Sequence, residues 1–218
     1  MRPQTLYLVL AAFQMLMCMK IQTFTVGMLS TNCYVISCQK TREAIIVDPG
    51  FDNQFEAEEI FKYADENVLK VKFIVNTHGH SDHTSGNGAV KNKFNVPICI
   101  HPYDAHMISC VDEKISPVNV LLEDGNTVKF GNVTLKVMHT PGHTRGSISL
   151  IGENEVITGD TLFACGIGRT DFPESSAHDM KFSLKKLANL PDHFVAYPGH
   201  GPSTTIGEEK RNNPFLLV

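Results

Sequence analysis

The feature that most limits what this chain can fold into is a pattern that recurs four times. An apolar stretch of strand length stops at a Gly- or Pro-rich turn that carries histidine or aspartate. The richest instance is His78-Gly79-His80-Ser81-Asp82-His83, which follows the apolar run Val71–Val75 and Asn76-Thr77. In an extended stretch, residues two apart project to the same side, so His78 and His80 can share one metal ion. Asp82 and His83, past the turn, can reach a second position a few ångströms away. Imidazole and carboxylate together suit Zn²⁺, Fe or Mn. The other three instances are His139-Thr140-Pro141-Gly142-His143-Thr144 after Val133–Val137, Gly159-Asp160-Thr161 after Glu155–Ile157, and Pro198-Gly199-His200-Gly201 after Phe194–Tyr197. Singly, His143 or Asp160 reads as a turn residue as readily as a ligand. Four strands delivering such residues to Gly-rich ends is what a site on one rim of a sandwich requires. His139 is assigned to loop structure, and His101, His106, His178 and His193 to ordinary surface or packing roles.

Composition sets the bounds. The 218 residues allow one large domain or two small ones, and no linker, repeat or low-complexity segment divides them. Lys+Arg is 19 against Asp+Glu 23, so a basic face for a nucleic-acid backbone is not expected. The cysteines Cys18, Cys33, Cys38, Cys99, Cys110 and Cys165 form no C-x-x-C pair and read as buried thiols of a reducing compartment. Residues 1–18 differ from the rest. Arg2 precedes an apolar stretch, Leu6–Met17, that is short of the ~20 residues needed to span a bilayer. Met17-Cys18-Met19 is a poor signal-peptide cleavage site. The expectation is a single cytoplasmic domain over 19–218, behind a leader that is an upstream start or a weak export or anchoring signal.

The expected strands are Ile21–Val26, Cys33–Ser37, Ala44–Val47, Val71–Val75, Ile98–Ile100, Thr127–Phe130, Val133–Val137, Ser147–Ile151, Glu155–Ile157 and Phe194–Tyr197. Gly131-Asn132 marks a two-residue hairpin, and Gly152-Glu153-Asn154 a second turn. Helices are expected after Asn53, an N-cap with Glu56 three residues on, near Ala89–Phe94, over Ser176–Leu190 with Phe182, Leu184 and Leu187 inward, and over Ile206–Arg211. Strands in two batches, each closed by helices, suggest an α/β fold of two face-to-face sheets with helices outside, a four-layer α/β/β/α sandwich.

These residues carry a resemblance to metallo-β-lactamase-fold hydrolases, and within them to the short glyoxalase II-like (hydroxyacylglutathione hydrolase-like) branch. It rests on Thr31-Asn32-Cys33-Tyr34, Val47-Asp48-Pro49-Gly50, the H-x-H-x-D-H string, His139–Ser147 and Gly159–Phe163, and further on Gly166–Asp171 and the tail from Tyr197, including Thr204–Glu209. The resemblance implies the α/β/β/α sandwich and two divalent metal ions, zinc ahead of iron or manganese. It implies His78, His80 and His143 on the first ion, Asp82, His83 and His200 on the second, and Asp160 between them. A metal-bridging hydroxide would attack the carbonyl of a small thioester, with Asp82 as proton acceptor. Two divalent ions, two carboxylates and that hydroxide leave about one net positive charge, which favours an anionic substrate. Arg169 stands where the family places a basic glutathione-contacting residue, although pairing with Asp171 explains it equally well. The C-terminal helical extension of longer glyoxalase II enzymes has no counterpart in these residues, so a more open site is expected. The resemblance also extends, through Gly168–Phe172, to a single-iron persulfide dioxygenase that needs two histidines and one aspartate. A lactonase or lactamase-like hydrolase and a non-catalytic metal-binding module are the remaining readings.

Overall fold

The structure, a computed structural model, describes residues 18–108 and 120–216. The leader expected over residues 1–18, apart from Cys18, and the thiol of Cys110 lie outside the described residues. The first sheet runs in sequence order through β1 (Met19–Val26), β2 (Thr31–Cys38), β3 (Glu43–Val47), β4 (Lys70–Val75), β5 (Ile98–Ile100) and β6 (Val120–Leu121). Its first three strands are antiparallel and the rest are parallel. Parallel neighbours need a crossover. Helix α1 (Gln54–Glu66) supplies it between β3 and β4, and α2 (Asn87–Phe94) between β4 and β5.

The second half begins with four antiparallel strands, β7 (Thr127–Phe130), β8 (Val133–His139), β9 (Ile148–Ile151) and β10 (Glu155–Gly159). A small ribbon of β11 (Leu162–Phe163) and β12 (Gly166–Ile167) precedes helix α3 (Ala177–Ala188). Strand β13 (Val195–Pro198) then joins the sheet parallel to β10. Edge strand β14 (Thr204–Thr205) and helix α4 (Ile206–Asn212) follow.

Strand alternation assigns the layers. Tyr34, Ile36, Ile45, Val47 and Val75 point into one apolar cluster with Phe130, Leu135, Val137, Leu150 and Ile157 of the second sheet. Their chain neighbours Cys33, Val35, Ile46 and Ile74 face the other way, onto Ala57 and Ile60 of α1 and Val90 of α2. On the far side, Val156 and Ala196 meet Met180, Leu184 and Leu187 of α3 and Ile206 of α4. Three apolar interfaces therefore separate four layers, and the sandwich is α/β/β/α. β3 is buried on both faces, as a central strand under a helix must be.

Two expectations need correction. Phe182 does not face inward: it is 54% exposed. On α3 the buried stripe is Met180, Leu184 and Leu187, at helical spacing. Phe182 stands two residues from both Met180 and Leu184, about 200° around the helix from each. The thiols are also not uniformly buried. Cys33, Cys38 and Cys99 are, but Cys18 is half-buried and Cys165 is exposed. The short pairings β6, β11, β12 and β14 carried no periodic signal and were not expected.

Candidate metal centre

All four Gly- or Pro-rich turns meet on one rim. β4 ends at Val75 and leads through Asn76 and Thr77 into the His78–His83 loop. The β8–β9 connection brings His143, and β10 and β13 end at Gly159 and Pro198, just before Asp160 and His200. Thr31–Tyr34 of the first sheet clamp the last of these loops. Asn32 Nδ2 donates to the Pro198 and Gly201 carbonyls at 3.0 and 2.8 Å, and the Tyr34 hydroxyl donates to the Pro198 carbonyl. The segment from Thr204 to Glu209 anchors the ribbon below the rim. Buried Glu209 accepts from Cys165 N–H at 2.9 Å and from Thr204 Oγ1 at 2.7 Å.

The seven expected ligands converge. His78 Nε2 is 3.1 Å from His80 Nδ1, which is 2.9 Å from His143 Nε2. Asp82 Oδ2 lies 3.5 Å from His83 Nε2 and 3.3 Å from His200 Nε2, and those two nitrogens are 3.3 Å apart. Asp160 stands between the two groups, with Oδ1 3.4 Å from His83 Nε2 and Oδ2 3.4 Å from His143 Nε2 and 3.5 Å from His200 Nε2. Three overlapping triads, His78/His80/His143, His78/His83/Asp160 and Asp82/His83/His200, each keep their ligand atoms within 4.8 Å of one another.

The outer nitrogen of every ring is already engaged. His78 Nδ1 meets Thr77 Oγ1 at 3.2 Å, and that hydroxyl donates to Asp48 Oδ2 at 2.6 Å. His83 Nδ1 donates to the same Asp48 oxygen at 2.9 Å. His80 Nε2 faces Glu174 Oε1 at 3.0 Å. His143 Nδ1 and His200 Nδ1 donate to the carbonyls of Arg169 and Leu29 at 2.9 and 3.1 Å. A proton on each outer nitrogen leaves a lone pair on each inner one, aimed into the cage.

This donor set fits divalent ions. Ring nitrogens that close, each holding a lone pair, repel unless a cation lies between them. Asp160 Oδ1 is buried without a hydrogen-bond partner. A Cβ on Gly199 would come within 2.1 Å of that oxygen, so glycine alone leaves room for it. Burial raises the Asp160 carboxyl, but His83 and His200 outweigh it and hold the group well below the usual carboxylate range. Burial pushes the His78 and His143 rings down, toward the neutral form a ligand needs. Burial also opposes charge on His83 and His200, but the neighbouring carboxylates outweigh it, lifting His83 well above the usual histidine range and His200 to about 9, so these two rings would give up a proton to an incoming ion.

The cage opens into a cavity of about 640 Å³ with apolar walls at Leu29, Phe163, Ile167 and Phe172. Arg169 lines its mouth and makes a two-pronged pair with Asp171, both contacts 2.9 Å, while its guanidinium sits 4.4 Å from the Phe172 ring centre. The remaining histidines keep structural partners. His139 donates to the Arg145 carbonyl and stacks on His101 at 4.2 Å. His178 pairs with Asp179, and His193 with Asn154.

Four supporting residues were given no role at the site by sequence reasoning: Asp48, Thr77, Asp104 and Glu174. Asp104 is the least visible. Its buried carboxylate accepts from Gly79 N–H at 3.0 Å, Thr144 Oγ1 at 2.6 Å and Gly146 N–H at 2.8 Å, and so ties the His78–His83 loop to the His143 loop. For Asp48 the signal was its place in Val47-Asp48-Pro49-Gly50, one of the segments that carry the resemblance.

Comparison with known proteins narrows the assignment. The sequence profile described as the metallo-beta-lactamase superfamily matches residues 26–200. The hydroxyacylglutathione hydrolase GloC of Haemophilus influenzae is 34% identical over 213 residues, covering 91% of this chain and 98% of that protein. Among solved structures, the BLEG-1 B3 metallo-beta-lactamase superposes with a TM-score of 0.83 at 32% identity, covering 91% of this chain and all of that one (100%). ETHE1 from Myxococcus xanthus superposes with a TM-score of 0.79 at 32% identity, covering 89% of this chain and 83% of that one. With its sandwich, its rim of histidines and aspartates, and this match over most of its length, the chain belongs to the metallo-beta-lactamase superfamily.

Proposed function

We propose that the protein is a metal-dependent hydrolase that cleaves a small anionic thioester of the S-(2-hydroxyacyl)glutathione type. The observation that carries this reading is the double cage: two triads of nitrogen and oxygen donors on either side of Asp160, without a cysteine in either. The end-to-end similarity to a hydroxyacylglutathione hydrolase supports the substrate class. His78, His80 and His143 would hold one ion, Asp82, His83 and His200 the other, and Asp160 would serve both. Bound there, divalent ions would bring the pKa of water to near ~7 and polarise the substrate carbonyl. Zinc, iron and manganese all accept this donor set.

The chain's own residues do the rest. Asp160, held ionised, supplies fixed negative charge at the centre of the cage. Asp82 Oδ2 is oriented by Thr31 Oγ1 at 3.2 Å and is partly open to the cavity, so it can take a proton from the nucleophile. Leu29, Phe163 and Phe172 limit water around the scissile bond. Arg169 can exchange Asp171 for a substrate carboxylate at the mouth.

A lactam is the second reading, supported by the superposition on a B3 metallo-beta-lactamase. The single-iron dioxygenase reading gains less. It would leave the Asp82, His83 and His200 cluster, with its own buttress in Asp48, without a task. Metal analysis of the purified protein, run beside three assays, separates the readings. Two metals per chain with thiol release from S-lactoylglutathione is the expected result. One iron with oxygen uptake on glutathione persulfide, or faster turnover of a β-lactam than of any thioester, would reject the proposal.

A further inference from the structure

A pair of neighbouring thiols lies at the end of β2 away from the candidate metal centre. That strand begins at Thr31, which contacts Asp82, and ends at Cys38, so about 23 Å of extended chain separates Cys38 from the metal rim. There Cys38 Sγ lies 3.3 Å from Cys18 Sγ. The two sulfurs are held by backbone. Met19 pairs with Cys38 in the β1–β2 ladder, and Gln39 N–H donates to the Cys18 carbonyl at 2.7 Å. Cys38 is fully buried, Cys18 half-buried. A disulfide would close that 3.3 Å sulfur separation to about 2.05 Å.

We propose that Cys18 and Cys38 form an oxidisable dithiol, which a hydroperoxide converts to a disulfide that staples the entry of β1 to the end of β2. Cys18 meets the peroxide first because it is half-buried where Cys38 is fully buried, although burial and the adjacent Cys38 sulfur hold its thiol pKa up. An S–O bond forms, the peroxide O–O bond breaks, and one oxygen leaves as water with the thiol proton. Cys38 sulfur then attacks Cys18 sulfur. The S–S bond forms, the S–O bond breaks, and hydroxide leaves as a second water, taking from solvent the proton that Cys38 had released to it. The two thiols together lose two electrons and two protons, and the peroxide is reduced to water. The surroundings of Cys38 favour its part as attacking sulfur. Burial raises its pKa, but hydrogen bonds from Thr41 and from Asn132 N–H outweigh burial and bring it down to about 6. Thiolate is the attacking form. The staple would close a ring from residue 18 to 38 and restrict the unfolded chain.

The test is peptide mapping of the full-length protein under non-reducing conditions, before and after hydrogen peroxide. The exposed Cys165 reports that the oxidant has reacted. Expected is a Cys18–Cys38 cross-linked peptide, lighter by two hydrogens and reversed by dithiothreitol. It should come with a rise of about 5–10 °C in Tm for the wild-type chain and none for Cys18→Ser. Oxidation of Cys165 while Cys18 and Cys38 remain alkylatable, pass to separate sulfinic acids, or pair with other cysteines would overturn the proposal.

Discussion

Asp104 makes the strongest claim for a residue that touches no candidate ligand. In Asp104→Asn one carboxylate oxygen becomes an NH₂ group, while all three partners point donors at this site. If the remaining oxygen faces Gly79 and Thr144, the amide confronts Gly146 N–H; the reverse orientation orphans Gly79 N–H. Either way one buried backbone donor loses its acceptor, at about 1–3 kcal/mol, and the surviving bonds lose their charge assistance. The total is about 2–4 kcal/mol, a substantial part of the ~5–15 kcal/mol that keeps a domain folded. Gly79 lies between His78 and His80, and Thr144 follows His143, so the loss should register at the cage as well. We expect metal affinity, measured by competition with a chromophoric chelator, to fall about 10–100-fold. Tm of the metal-free protein should fall in parallel. Thr144→Val removes one donor together with its need and should cost less in both assays. Affinity within twofold of wild type in Asp104→Asn, whatever happens to Tm, would refute the claim that this carboxylate aligns the two ligand loops.

Asp160→Ala should reduce bound metal from two ions per chain to one and abolish nearly all turnover while circular dichroism stays native; elemental analysis checks it. Arg169→Ala should raise KM for glutathione thioesters more than for small neutral thioesters, and equal effects would leave Arg169 a partner of Asp171 alone. Leu184→Ala should cost about 2–5 kcal/mol in urea unfolding, and Phe182→Ala under about 1 kcal/mol, because only Leu184 is buried. Burial and the stacked His139 press His101 down to about 4, from 6.5 when unfolded. Above pH 6.5 neither state binds the proton. As pH falls toward 4 the unfolded chain takes it up first, and stability is lost over that window, by about 1–2 kcal/mol once screening is allowed for. The stability gap between wild type and His101→Asn should shrink by that amount between pH 7.5 and 4.5.

The candidate ligands were legible because each lies within a few residues of where an apolar run stops, and the stop itself is written in Gly and Pro. His78 through His83 needed only local geometry, and His143, Asp160 and His200 repeated the motif. Layer order was half legible. Alternation in β2 and β3 is plain once both faces are known to be covered, but near-continuous apolar strands do not say by what. The buttresses were hidden for another reason. Asp48 acts on His83 across 35 residues, and Glu174 on His80 across 94. A lone acid in a loop carries no periodicity. Phe182 misled because it is apolar and flanked by core positions, although its angle on α3 turns it outward.

The seven inward side chains have divided origins. The first sheet's loop contributes His78, His80, Asp82 and His83, and the second sheet contributes His143, Asp160 and His200. Neither sheet owns a complete coordination set. Ions bound here would act as rivets across the seam, and their grip would report how well the two leaves of the sandwich are closed. A lesion deep in the shared core, far from any imidazole, should therefore loosen metal before it unfolds the chain.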